Sequence, residues 1–166
     1  MLRLKGGDPF IFGRGGEEAE ALANAGIPFR ILPGMTSALA ALASTRIPAT
    51  MRGMSKAITL ATGHAAGEAD NLDWAALAKT GEPIVVYMGL KNLATISRLL
   101  IEGGRPADTP AAIIMSATTT EERLLTATLG TLAPEAERQG FAAPALIVIG
   151  EIVRMRGLLV PQEAAG

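Results

Sequence analysis

The sequence predicts an α/β fold built on a mixed sheet, and three observations carry that expectation. Strand-like and helix-like segments alternate along its 166 residues. Three uninterrupted apolar runs, at 83–87, 111–115 and 145–149, have the length and composition of strands buried on both faces. The helical stretches between them are closed by glycine or proline, as at Gly26, Pro28, Pro48 and Gly103-Gly104.

The elements follow in order. Residues 3–5 read as a strand, 8–16 as a Gly/Pro-rich loop, and 17–25 as a helix with Glu17, Glu18 and Glu20 near its start. Residues 29–32 form a short apolar strand closed by Pro33-Gly34. Thr36 or Ser37 caps a helix over 38–45. The irregular stretch 49–55 marks a lobe boundary. The chain then divides into a first lobe, 1–50, a second, 51–160, and a polar tail, 161–166. A strand is expected at 57–61, a polar Gly-rich loop at 62–71, and a helix at 73–79 capped by Asn71 or Asp73. The helix at 92–102 carries Leu93, Ile96, Leu99 and Leu100 on one side. Residues 122–129 alternate like a strand, and 134–139 are helical. A chain that opens on a strand and a Gly-rich loop leaves that strand without an evident neighbour, which points to a lost upstream segment.

Composition narrows the function classes. Apolar residues make up 49% and charged residues 19%, a globular balance that excludes a disordered chain. Cysteine is absent, so no disulfide framework or thiolate metal site is expected, and a reducing cytoplasm fits. With one histidine besides, no metal is expected. No uncharged apolar run approaches the ~20 residues of a membrane span. The net charge of -1 hides an asymmetry: residues 1–60 carry +3 and the remainder -4. A mildly basic first segment suits an anionic small molecule, but its charges are too dispersed for nucleic acid. Arg14, Arg46, Arg52 and Lys56 are the candidate anion contacts, against their plainer reading as solvated surface charges.

The most distinctive motif is Lys5-Gly-Gly-Asp-Pro-Phe-Ile-Phe-Gly-Arg-Gly-Gly-Glu-Glu18. Its glycines allow close approach of backbone to a ligand, and Asp8 before Pro9 favours a tight turn. The loop lies between a strand and a helix, where open α/β sheets bind ligands, though a purely structural turn also fits. It matches neither the dinucleotide fingerprint nor the P-loop, which argues against NAD and ATP. His64, the sole histidine, invites a general-base role, but a polar loop residue is the simpler reading and it is not nominated.

This motif resembles the signature loop of the uroporphyrinogen-III C-methyltransferases, within the tetrapyrrole methylase family. The resemblance continues in order through Gly26-Ile-Pro28, Ile31-Leu-Pro-Gly-Met-Thr-Ser37, Arg46-Ile-Pro48, Thr62-Gly-His64, Val86-Tyr-Met-Gly-Leu90 and Pro144-Ala-Leu-Ile-Val-Ile-Gly150. It implies a two-lobe tetrapyrrole methylase fold whose first strands, with the family's Gly-Pro-Gly-Asp loop and its acid/base residues, lie upstream of Met1. It also implies S-adenosylmethionine as cofactor, uroporphyrinogen III as substrate, precorrin-2 as product and a homodimer. By position, Gly6, Gly7, Asp8, Ile11, Thr36, Ser37, Met88 and Ala117 are implied at the cofactor. Many relatives have glycine where Ala117 stands. Thr36 and Ser37 are equally natural helix caps and Met88 equally natural core filler. Two alternatives stay open: a related methyltransferase with another acceptor, and a non-catalytic cofactor-binding or dimerisation fragment.

Overall fold

The computed structural model describes residues 1–64, 66 and 72–160. Five strands, β1 (Thr59–Thr62), β2 (Ile84–Tyr87), β3 (Pro110–Met115), β4 (Arg123–Thr128) and β5 (Ala145–Ile149), form one sheet in the order β1-β2-β5-β3-β4. β1 and β2 are parallel; β5 runs antiparallel to both β2 and β3, and β4 antiparallel to β3. β1, β2 and β3 therefore point the same way.

The central strands are apolar at every position, so both faces are covered. Side chains alternate strictly between two clusters. Ile84, Val86, Ala111, Ile113, Ile147 and Ile149 face α3 (Trp74–Thr80), α4 (Leu93–Glu102) and α5 (Leu132–Arg138). Val85, Tyr87, Ala112, Ile114, Leu146 and Val148 face α2 (Ser37–Ser44), Ile47, Ile152 and Val153. α4 buries Leu93, Ile96, Ser97 and Leu100, the spacing of one helical face. α3 starts at Asp73, whose side chain accepts from the Ala76 N–H, and stops at Gly81, where φ is 71°. α5 holds Pro134 in its first turn, where a missing N–H costs nothing.

The expected sheet strands all form, each within two residues of its expected bounds. Two other expected strands do not. Residues 3–5 and 29–32 adopt no regular structure and have no hydrogen-bonded strand neighbour among the described residues. A strand exists only through a neighbour's N–H and C=O groups, and β propensity does not supply one. Their apolar side chains, Leu4, Phe29, Ile31 and Leu32, are exposed. The helix expected at 17–25 begins earlier, as α1 (Gly15–Asn24), and that at 92–102 is preceded by a 3-10 turn, Leu90–Asn92. A 3-10 turn at Glu151–Arg154 and α6 (Met155–Leu159) were not expected. Asn71, most of the loop 62–71 and the tail 161–166 lie outside the described residues. No helix among the described residues is long and apolar enough to cross a membrane.

Candidate functional site

Because β1, β2 and β3 share a direction, Gly63-His64, Met88-Gly89 and Ser116-Ala117-Thr118 emerge at one end of the sheet. Carboxyl ends of strands are where open α/β sheets bind ligands. The backbone here is unusual. Met88 (φ 52°), Ser116 (48°) and Thr118 (65°) are left-handed without being glycine, as are Phe12 (51°) and Arg14 (55°) in the first loop. Each such residue costs roughly 1–2 kcal/mol, so surrounding contacts must hold it.

Those contacts are present. A Cβ on Gly63 would lie 2.5 Å from the Gly89 Cα, so the turns after β1 and β2 touch backbone to backbone. The Asn92 amide donates to the Gly63 carbonyl at 2.7 Å and to that of His64 at 3.1 Å. The Glu122 carboxylate accepts from the Thr118 N–H and the Ser44 hydroxyl, both at 2.7 Å, tying the turn after β3 to α2.

The first loop docks onto the turn before α2. The Asp8 carboxylate accepts from the Phe10 N–H at 2.9 Å and from the Gly34 N–H at 3.1 Å. These backbone donors, Gly34 foremost, hold Asp8 below the usual carboxylate range. A Cβ on Gly34 would meet the Gly7 carbonyl at 2.6 Å, so glycine is required there by space alone. Lys5 closes the loop's other side, donating to the Gly13 carbonyl at 2.8 Å and to Glu18 at 2.7 Å. Phe12 then lies against Tyr87, with ring centroids 4.8 Å apart.

Between the loop and the strand ends is a cleft of about 790 Å³, lined by Phe10, Phe12, Arg14, Thr62, His64 and Met88 among others. A smaller hollow of about 590 Å³ lies at the sheet's other end, against Pro110, Arg154 and Arg156, away from these strand ends.

The candidate cofactor residues fall into two groups. Met88 lines the cleft directly. Gly7, Asp8 and Thr36 lie where the first loop meets the Gly34 turn, with Gly6 and Ile11 on the loop's exposed parts. Ser37 is exposed at the first turn of α2, and Ala117 packs against the cluster beneath α2. Thr36 holds the cap position of α2 by its backbone, but its side chain makes no capping bond. Of the candidate anion contacts, Arg14 alone lines the cleft, where it pairs with Glu17. Arg46 follows α2 and Arg52 is exposed in the turn 51–55. Lys56 lies where β1 and β2 begin, its N–H bonded to Glu82, at the far end from Met88. Phe10, Phe12 and Thr62 line the cleft, and Tyr87 backs Phe12, without any one of them standing out in the sequence. Two of the chain's four phenylalanines inside one glycine loop were the available signal. His64 lines the cleft as well.

The fold is α/β, with an open cleft at the ends of strands that share one direction. Residues 1–133 match the family described as Tetrapyrrole (Corrin/Porphyrin) Methylases. The chain belongs to that family, whose members use S-adenosylmethionine. It is 46% identical over 165 residues to a siroheme synthase of Stutzerimonas stutzeri, covering 99% of this chain and 36% of the relative. It is 47% identical over 159 residues to that of Azotobacter vinelandii, covering 96% and 34%. The chain thus spans about a third of the length of these curated relatives. Among solved structures it resembles a uroporphyrin-III C-methyl transferase from Thermus thermophilus complexed with S-adenosyl homocysteine. The TM-score is 0.78 at 34% identity, covering 93% of this chain and 67% of that one. A cobalt precorrin-4 methyltransferase, at 24% identity and TM-score 0.81 over 89% and 62%, shares the fold.

Proposed function

We propose that this chain is the cofactor-binding part of a uroporphyrinogen-III C-methyltransferase. The parent reaction transfers two methyl groups from S-adenosylmethionine to ring carbons of uroporphyrinogen III and yields precorrin-2, in sirohaem or cobalamin synthesis. The observation that carries this reading is the convergence of the Gly-Gly-Asp loop, the Gly34-Thr36 turn and the Met88 turn at one end of the sheet.

The site fits the cofactor. A cleft of about 790 Å³ suits a small molecule of this size. Phe10, Phe12 and Met88 offer apolar walls to an adenine ring and a thioether. Gly6, Gly7, Asp8, Thr36 and Ser37 offer backbone groups, a carboxylate and hydroxyls to the ammonium, carboxylate and ribose, with Ile11 and Ala117 as nearby apolar contacts. S-adenosylmethionine supplies an electrophilic methyl group on a sulfonium that leaves as a neutral thioether. The chain's own work is positioning: it holds the cofactor against fixed turns and presents Arg14 to a substrate carboxylate. Uroporphyrinogen III carries eight such carboxylates. No residue here is assigned as proton acceptor.

A second reading is favoured by residues 1–35, where Gly15 alone is buried. In it the chain is a cofactor-binding or dimerisation fragment that turns over only when an upstream segment is supplied by another chain, in a homodimeric, cytoplasmic enzyme. Transfer of labelled methyl groups to uroporphyrinogen III is the test, run with and without the relatives' upstream segment as a separate chain. Turnover only in the mixture supports this reading. Turnover by the chain alone removes it. No turnover in either, with labelled transfer to another acceptor, overturns the assigned substrate.

A further inference from the structure

We propose that Tyr87 is the positioning residue that joins the three loops of the site, and that it acts by freeing and orienting the Thr36 hydroxyl. This deepens the cofactor reading above and rests on it. Tyr87 ends β2, immediately before Met88, and is buried. Its hydroxyl accepts from the Ala38 N–H at 3.2 Å, the second amide of α2. That is the bond an N-cap side chain ordinarily makes. Here Tyr87 makes it in place of Thr36, whose Oγ1 lies 2.6 Å from the Tyr87 hydroxyl instead.

The exchange has a chemical consequence. If Tyr87 donates to Thr36, the Thr36 O–H is left unused; if Thr36 donates, both lone pairs of its oxygen are left unused. Either way a buried hydroxyl retains capacity for a ligand, held by one bond in a fixed direction. The same tyrosine ring supports Phe12, which lines the cleft. One side chain thus sets the place of the first loop, the α2 turn and, through the backbone, Met88. Such preorganisation lowers the ordering cost of binding.

Tyr87→Phe keeps the ring and removes the hydroxyl. Calorimetric titration of S-adenosylhomocysteine into the chain reads the effect, with Thr36→Val, Thr36→Ser and the Tyr87→Phe/Thr36→Val double variant alongside. The expected result is an affinity about three- to ten-fold weaker for Tyr87→Phe and for Thr36→Val. The double variant is no weaker than the worse single one, and Thr36→Ser binds as the wild type does. Unchanged affinity in Tyr87→Phe with a lowered melting temperature would mean a structural role only and overturn the proposal. So would additive losses. If the wild-type chain shows no binding, the cofactor reading fails and takes this inference with it.

Discussion

In β2, β3 and β5 successive side chains enter one apolar cluster or the other, and nearly all are buried. In residues 1–35, by contrast, Gly15 alone is buried, while Leu2, Leu4, Phe29 and Leu32 are exposed. The sheet is held by area removed from water. The first segment is held by a few directed bonds, Asp8 to Gly34 and Lys5 to Gly13 and Glu18, and by one ring contact, Phe12 on Tyr87. Both regions contribute to the cleft. The difference teaches that fold stability rests mainly on the sheet, so that on the proposed cofactor reading stability and binding should be separable. Core substitutions are expected to strike the first, and loop substitutions the second.

The sharpest way to break that contrast is to truncate one apolar side chain in each region. Ile147→Ala, in the fully buried centre of the sheet, should cost about 2–5 kcal/mol in urea denaturation. Phe29→Ala, at an exposed position, should stay within about 0.5 kcal/mol. Equal losses would show that the first segment is packed as tightly as the sheet.

Next in size is Gly34→Ala. The new Cβ would meet the Gly7 carbonyl at 2.6 Å, against backbone that has little room to give. Overpacking of this kind costs about 1–3 kcal/mol, which here falls on loop docking. Affinity for S-adenosylhomocysteine should drop about ten-fold or more, while the urea midpoint of the sheet stays nearly unchanged.

A pH series probes the same joint more gently. Asp8 titrates below its ordinary value in the folded chain, through the Gly34 and Phe10 amides. A group depressed on folding stabilises fully above its unfolded value, near 3.8, and loses that contribution as pH falls through the folded value. The Gly34 amide resonance should therefore hold steady from neutral pH to about 4 and shift only below it. A shift centred near pH 6 would contradict the assigned bond.

The smallest effect separates the basic side chains. Arg14→Ala should weaken uroporphyrinogen III binding by about three- to ten-fold, whereas Lys56→Ala, at the far end of the sheet, should change it less than two-fold. The reverse order would move the substrate to the other end of the molecule.

How far the sequence reveals all this depends on the range of the interactions. β2, β3 and β5 are legible because each is an unbroken apolar run whose period fits a strand buried on both faces. The Gly-Gly-Asp loop is legible as a motif. The stretches 3–5 and 29–32 are short and carry charged residues, Arg3, Lys5 and Arg30, and they form no strand, because pairing is decided by distant chain. Tyr87 escapes notice for the same reason: its partners, Thr36 and Phe12, are 51 and 75 residues away in sequence. α6, five residues long, is too short to display a helical period.

The central claim is that the first loop and the parallel strand ends together hold S-adenosylmethionine, and calorimetric titration of S-adenosylhomocysteine into the chain tests it most directly. Saturable binding at one site, lost in Asp8→Ala and in Met88→Arg while both variants keep the wild-type circular dichroism spectrum, is the predicted result. A folded wild-type chain that takes up no S-adenosylhomocysteine, or one whose binding survives both substitutions, would contradict it.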